Sequence, residues 1–152
     1  MNIGKFKIGL KSTPFIIAEM SGNHNHSLDR ALKLVDEASF AGAHAIKLQT
    51  YRPDTITIDH SGEEFFITDE NNIWKGQSLY DLYDKAHTPW AWHEEIFKRA
   101  KKHGITIFST PFDESAVDFL EDLDVPAYKI ASYENVHLPL IEKVALTGKP
   151  MI

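Results

Sequence analysis

One pattern recurs four times along the chain: an apolar run, a group of polar residues and then a helical pattern. The apolar runs are "FIIA" (15–18), "AHAIKLQT" (43–50), "ITIF" (105–108) and "PAYKI" (126–130). Because none of them alternates cleanly, each is typical of a strand buried on both faces. Strands that alternate with helices form βαβ units, so the sequence predicts an α/β fold built on a parallel sheet.

The helical patterns have recognisable ends. Ser27 is the predicted N-cap of the first helix, Thr88 is the N-cap of the next with Pro89 at its first position, and Asp113 caps the third. A fourth helix is predicted over Leu138–Leu146. Glycines that allow a left-handed C-terminal turn follow three of these helices, at Gly42, Gly104 and Gly148.

The arrangement favours a (β/α)₈ TIM barrel over a doubly wound nucleotide-binding fold. Neither a G-x-G-x-x-G nor a G-x-x-x-x-G-K-[ST] motif occurs. We expect an N-terminal hairpin around "KFKIGL", strands 1–4 with their helices, and the start of strand 5 in "KPMI". Since a complete barrel needs about 250 residues, residues 1–152 are interpreted as its N-terminal part. The long segment 51–87 is too long for a simple connection and is expected to be functional.

Composition excludes several classes of protein. The chain has 43% hydrophobic and 25% charged residues, which is typical of a globular protein. A net charge of −6 and the lack of a basic run give no indication of nucleic-acid binding. Without cysteine there are no disulfides or thiolate metal sites. No apolar run reaches the ~20 residues of a membrane span, and no signal peptide is recognisable, so a cytoplasmic location is predicted.

Polar residues crowd the end of the first strand. Glu19 follows the apolar run directly, and we expect it to serve a site, although a capping or salt-bridging carboxylate would give the same pattern. His24 and His26 form an H-x-H pair, which would suit a metal ion but is also common in loops.

Two lysines occur inside apolar strands. Burying the ammonium of Lys47 without an anion is costly, and Lys129 repeats the pattern two strands later. Two such lysines at converging strand ends predict a site for a multiply charged anion such as a phosphate or carboxylate. Hydroxyl donors for that anion are available nearby on Ser109, Thr110 and Ser132. Glu134 adds a carboxylate, unless it only complements a helix dipole.

Read together, these strand ends resemble the sialic acid synthase family. The motifs are "IIAEMSGNHNHS", "AIKLQTY", "IFSTPFD" and "VPAYKIASYE", in that order. Within the family, "WKGQSLYDLYDKAHTPWAWH" and the "ASYE" ending are similar to the pseudaminic acid synthase branch. The resemblance implies an enzyme that condenses phosphoenolpyruvate with an N-acetylated amino sugar and water, giving a nonulosonic acid and phosphate.

The resemblance also implies roles for single residues. The phosphoenolpyruvate-binding positions are Lys47, Thr110, Lys129 and Ser132, and the sugar-facing positions are Glu19, Gln49, Phe112 and Glu134. Glu19, Glu134 and Lys129 are the candidates for catalysis.

The resemblance implies partners and a cofactor as well. We expect a divalent metal, Mn²⁺ or Mg²⁺, held by histidines outside this chain, which would polarise the sugar aldehyde. A homodimer, a C-terminal antifreeze-like domain beyond this chain, and no turnover by these 152 residues alone are also expected.

Three alternatives remain open at this stage. The first is an N-acetylneuraminate synthase that uses N-acetylmannosamine. The second is a metal-dependent amidohydrolase barrel that uses the H-x-H pair. The third is a half-barrel without activity that assembles with another chain through its exposed sheet edges.

Overall fold

The computed structural model describes all residues from Met1 to Ile152. Its centre is a three-stranded parallel sheet in the order β3-β4-β5. A short antiparallel hairpin, β1 with β2, precedes the sheet. The strands are β1 (Asn2–Ile3), β2 (Phe6–Lys7), β3 (Ile17–Glu19), β4 (Ala45–Thr50) and β5 (Thr106–Pro111). The helices are α1 (Leu28–Phe40), α2 (Pro53–Ile56), α3 (Leu79–Ala86), α4 (Trp90–His103), α5 (Glu114–Asp122) and α6 (Leu138–Leu146), with 3₁₀ turns at Glu63–Phe65 and Tyr133–Val136.

Beyond β5 the parallel order continues only as two isolated β-bridges. Tyr128 forms a parallel bridge with Ser109 on one side and with Met151 on the other. The prediction of a full fourth strand in "PAYKI" is therefore wrong, since only Tyr128 forms a ladder contact, whereas the bridge at Met151 agrees with the predicted start of a fifth strand. Pro126 and Pro150, which open the two runs, have no N–H group to donate to a ladder. The α/β class with a parallel sheet is confirmed, and the eight-strand count of a barrel stays a prediction.

The first apolar run forms an edge strand. β3 pairs only with β4, and the Ile16 side chain before it is 54% exposed. The prediction that Phe15–Ala18 is a strand buried on both faces is therefore wrong, since the ladder starts at Ile17 and none of these four residues is fully buried.

The helix ends mostly follow the sequence. Ser27 accepts a hydrogen bond from the Arg30 N–H at 3.3 Å, and Asp113 accepts one from the Ser115 N–H at 3.0 Å. Gly104 ends α4 with a φ of 67°, a left-handed conformation that suits glycine. The prediction for Thr88 is wrong: α4 begins at Trp90 with Pro89 as its N-cap, and the Thr88 side chain serves another contact. None of the helices is both long and apolar enough to cross a bilayer.

Alternation along β4 separates a core face from a polar face. Ile46 and Leu48 are buried in a cluster with residues of α1 and α4, including Val35 and Ile96. Each such side chain contributes about 1.5–3 kcal/mol of burial free energy. Successive strand residues point to opposite faces, so Lys47 and Gln49 face away from these helices.

Two fully buried histidines form polar contacts among the helices. His24 Nε2 lies 3.1 Å from the Thr88 hydroxyl, and His93 Nε2 lies 2.9 Å from the Thr50 hydroxyl. The Thr50 hydroxyl also contacts Ser109 Oγ at 2.6 Å. Burial lowers the pKa of His24 to about 4, with smaller effects from the charges of His26 and His87, and burial likewise lowers the pKa of His93 to about 4.

These two histidines predict a pH-dependent stability. An unfolded histidine has a pKa near 6.5, so below that pH the unfolded chain takes up protons that the folded chain does not. The free energy of unfolding should therefore fall as the pH drops from about 6.5 towards 4, by up to about 1.4 kcal/mol per pH unit for each histidine. Urea unfolding followed by circular dichroism between pH 5 and 7 measures this slope. The variant His24→Gln/His93→Gln should flatten it, and a flat profile in the unmodified protein would contradict the prediction.

Candidate active site

Four of the predicted site residues lie at the carboxyl ends of the strands, on the face that points away from α1 and α4. Glu19 ends β3 and lies beside Lys47 of β4, while Gln49 lies beside Thr110 of β5. In parallel α/β sheets this edge is the usual place for ligand binding.

Lys47 is the centre of this group. Its side chain is 5% exposed, and Nζ lies 3.2 Å from Glu19 Oε2 and donates to Thr110 Oγ1 at 3.2 Å. Burial lowers the pKa of the Lys47 ammonium, and the Glu19 carboxylate acts in the opposite direction. The Glu19 side chain is 58% exposed, so it neutralises Lys47 and still presents its carboxylate to solvent. Glu19 therefore forms a salt bridge, as one of the two alternatives for this residue predicted.

Lys129 lies on the same face as Lys47. The preceding residue, Tyr128, donates its hydroxyl to the Glu121 carboxylate of α5 at 2.5 Å, so alternation directs Lys129 the other way. Its backbone N–H donates to the Ser109 carbonyl at 3.2 Å, which ties it to β5. The positive charge of Lys129 adds to the lowering of the Lys47 pKa. Lys129 is half-buried and forms no salt bridge, so its side chain is available to a ligand.

Ser132 and Glu134 follow in the loop after Lys129. Ser132 is exposed and precedes the 3₁₀ turn that contains Glu134. Glu134 is half-buried, and its Oε2 atom is shielded from solvent without a hydrogen-bond partner. An unpaired buried carboxylate oxygen is costly in free energy. This oxygen is therefore suited to accept a hydrogen bond from a hydroxyl group or a water molecule.

Gln49 and Phe112 border the group in different ways. Gln49 is half-buried and its amide makes no hydrogen bond within the protein. Phe112 is 7% exposed and packs edge-to-face on Tyr51 with 5.3 Å between ring centres. Tyr51 in turn contacts Tyr83 of α3 at 6.0 Å. Phe112 therefore links the candidate site to the long segment 51–87.

Several of these contacts could not be read from the sequence. The sequence patterns predict no role for Tyr51, Thr50 or His93. A tyrosine or threonine at a strand end and a histidine in a helix belong to no recognisable motif. Alternation along β4 could have assigned Thr50 to the helix side, next to α4. Burial raises the pKa of Tyr51 to about 12, so its phenol stays neutral.

The H-x-H pair serves the fold. His24 Nδ1 accepts the His26 backbone N–H at 3.1 Å, and its other nitrogen contacts Thr88. No three His, Cys, Asp or Glu side chains come together in a way that could hold a metal ion. Both ring nitrogens of His24 are thus engaged within the protein, which weighs against His24 as a metal ligand in the amidohydrolase interpretation.

Comparison with known proteins agrees with the resemblance found in the sequence. Residues 34–152 match the model of the NeuB family. The chain is 45% identical over its whole length to a pseudaminic acid synthase of Campylobacter jejuni, of which it covers 43%. It is also 45% identical to a pseudaminic acid synthase of Helicobacter pylori over 91% of the chain, covering 40% of that protein. The chain thus spans less than half the length of the curated relatives it matches.

A solved structure agrees with the fold. The crystal structure of an N-acetylneuraminic acid (sialic acid) synthetase from Leptospira borgpetersenii, in complex with citrate, superposes with a TM-score of 0.80 at 32% identity. The match covers 99% of this chain and 47% of that one. The NeuB family model matches most of this chain, and the chain is similar to synthases in both sequence and structure. The chain therefore belongs to the NeuB family.

Proposed function

We propose that this chain provides the phosphoenolpyruvate-binding part of a nonulosonic acid synthase. The reaction joins phosphoenolpyruvate to a 2,4-diacetamido-2,4,6-trideoxy hexose and water, and it yields pseudaminic acid and phosphate. The observation that carries the proposal is the placing of Lys47 and Lys129 on one face, at the carboxyl ends of the strands. The names of the relatives from Campylobacter and Helicobacter support the choice of sugar.

The charges of the site suit a small molecule with several negative charges. Lys47 is paired with the Glu19 carboxylate, and Lys129 forms no salt bridge, so the Lys129 ammonium is available to a bound anion. Phosphoenolpyruvate carries its phosphate on the central carbon and its carboxylate on the adjacent carbon, with the methylene carbon at the other end. Lys47 and Thr110 would hold one of these groups, and Lys129 and Ser132 the other.

The reaction needs one new carbon–carbon bond and one broken carbon–oxygen bond. The methylene carbon of phosphoenolpyruvate attacks the sugar aldehyde, and the aldehyde oxygen takes up a proton. Positive charge then develops at the carbon that bears the phosphate, and water adds to that carbon while losing a proton. The tetrahedral product releases phosphate by C–O cleavage, which leaves the 2-keto acid.

The two glutamates have different roles in this scheme. The unpaired Glu134 Oε2 is the proposed acceptor of the proton from the attacking water. Glu19 holds the Lys47 ammonium at 3.2 Å, and its exposed carboxylate is proposed to orient sugar hydroxyls. Gln49 would donate its free amide to the sugar, and Phe112 would form an apolar wall beside it.

The Mn²⁺ or Mg²⁺ ion and the homodimer expected from the family stay predictions. The residues of this chain do not form a metal site by themselves. The roles proposed for the two lysines and the two glutamates involve no metal ligand.

The choice of sugar is tested by phosphate release. The full-length enzyme should release phosphate from phosphoenolpyruvate when it is offered the 2,4-diacetamido trideoxy sugar, and at least about 100-fold more slowly with N-acetylmannosamine. The reverse preference would favour the N-acetylneuraminate alternative, which the Leptospira relative represents. Release with neither sugar would refute the proposed function.

Replacing Lys47 by methionine should abolish phosphoenolpyruvate binding without unfolding the protein. Methionine keeps the apolar stem, and the partner Glu19 is exposed enough to be solvated. We expect the dissociation constant, measured by calorimetry, to rise at least about 30-fold, as for loss of a buried charge contact. Lys98→Met on α4, whose ammonium and partner Glu94 are both 72% exposed, serves as the control. Unchanged binding in Lys47→Met would contradict the assignment.

Glu134→Gln should lower turnover and leave phosphoenolpyruvate binding intact. The amide is nearly isosteric but cannot accept a proton, so kcat should fall by about 100-fold or more. Steady-state kinetics of the full-length enzyme, combined with calorimetry, separates the two effects. Full turnover in this variant would remove Glu134 from the proposed chemistry.

A further inference from the structure

A buried chain of hydroxyl and imidazole groups lies directly behind the candidate site and has no place in the proposed chemistry. It consists of Ser109, Thr50 and His93, all fully buried, and it ends at the Pro89 carbonyl. The contacts are Ser109 Oγ to Thr50 Oγ1 at 2.6 Å, Thr50 Oγ1 to His93 Nε2 at 2.9 Å, and His93 Nδ1 to the Pro89 oxygen at 3.2 Å.

The direction of each hydrogen bond in this chain is fixed. The Pro89 carbonyl can only accept, so His93 Nδ1 carries the proton and donates to it. His93 is neutral, since burial lowers its pKa to about 4, and Nε2 must therefore accept. The Thr50 hydroxyl donates to Nε2, and the Ser109 hydroxyl donates to the Thr50 oxygen. Every hydrogen-bonding group in the chain is satisfied, which makes such a buried network rigid.

The network connects the strands that carry the two lysines. Thr50 is the last residue of β4, which holds Lys47. Ser109 belongs to β5, and its backbone carbonyl accepts the N–H of Lys129 at 3.2 Å. The next residue of β5, Thr110, accepts the Lys47 ammonium. The hydroxyl contact between Thr50 and Ser109 therefore joins β4 and β5 next to the two places where the lysines contact β5. These are the Lys47 hydrogen bond to Thr110 and the Lys129 backbone hydrogen bond to Ser109.

His93 anchors this contact to a helix. It lies in the first turn of α4, and its ring packs edge-to-face on Phe119 of α5 at 5.2 Å between centres. The ring is therefore fixed by its own helix, α4, and by the contact with α5 while it accepts a hydrogen bond from the Thr50 hydroxyl.

We propose that His93 is a positioning residue, which acts through Thr50 and Ser109 to set the spacing between the ammonium groups of Lys47 and Lys129. The proposal rests on the proposed function, because that spacing matters only if one anion contacts both lysines. A shift of about 1 Å in such a pair is enough to weaken binding strongly. The network touches no substrate, so His93 has no catalytic role of its own.

The chain provides a matched pair of substitutions for the test. Thr50→Val removes the hydroxyl that donates to His93, whereas Thr88→Val removes the hydroxyl that contacts the other buried histidine, His24. Both changes are close to isosteric. Thr88→Val leaves one buried imidazole nitrogen without a partner, whereas Thr50→Val leaves His93 Nε2 and the Ser109 hydroxyl without one. Both should therefore lower stability, Thr50→Val by more, and only Thr50→Val disturbs the strands of the two lysines.

The experiment uses the full-length enzyme and follows KM for phosphoenolpyruvate, KM for the sugar, and urea unfolding. Thr50→Val and His93→Leu should each raise KM for phosphoenolpyruvate about tenfold, with little change in KM for the sugar. Thr88→Val should leave both KM values within about twofold. The double variant Thr50→Val/His93→Leu leaves only the Ser109 hydroxyl without a partner, so it should regain part of the lost stability and still show the raised KM for phosphoenolpyruvate.

Each other outcome overturns an identified claim. An unchanged KM for phosphoenolpyruvate in the stable double variant would refute the positioning role. Equal rises in Thr50→Val and Thr88→Val would refute it as well, since they would reflect general loss of stability. An unmodified enzyme that does not bind phosphoenolpyruvate in calorimetry would refute the proposed function, and the positioning role with it.

Discussion

The ammonium group of Lys47 is the most demanding feature of this structure. It is almost completely buried in the middle of a parallel sheet, and a buried charge without a partner would cost several kcal/mol. The Glu19 carboxylate and the Thr110 hydroxyl remove much of that cost, one from each neighbouring strand. The three central strands must therefore keep a fixed register at their carboxyl ends. The placing of the other site residues follows from this register.

The two faces of β4 have different roles: one is packed in the core and the other carries the candidate site. Ile46 and Leu48 bury their side chains against α1 and α4, and this burial holds the sheet in place. Lys47 and Gln49 lie on the other face, where a polar group can meet a ligand. Thr50 is the exception, because it is polar and points to the helix side. Its contact with His93 satisfies both groups and also links the strands that carry Lys47 and Lys129.

Sequence patterns predicted most of the local structure. Ser27 and Asp113 cap their helices as expected, because a side-chain oxygen at that position satisfies a free N–H group of the first turn. Thr88 was assigned the same role by its position before Pro89. Its hydroxyl instead contacts His24, which is distant in sequence, and the helix begins two residues later. Strand lengths were less predictable, since "PAYKI" looks apolar enough for a strand but forms a single bridge at Tyr128.

The sequence by itself determined the fold class, the helix ends and the identity of the polar residues at the strand ends, since each depends on neighbours a few positions away. The placing of Glu19, Lys47 and Thr110 at one polar edge could be inferred only from the general rule that parallel strands share such an edge. The tertiary structure decided which groups neutralise each other. Glu19 pairs with Lys47 while Lys129 keeps its charge free, and His93 reaches Thr50 across 43 residues of sequence. Such contacts depend on the relative positions of strands and helices that are far apart in the chain, and no local pattern contains that information.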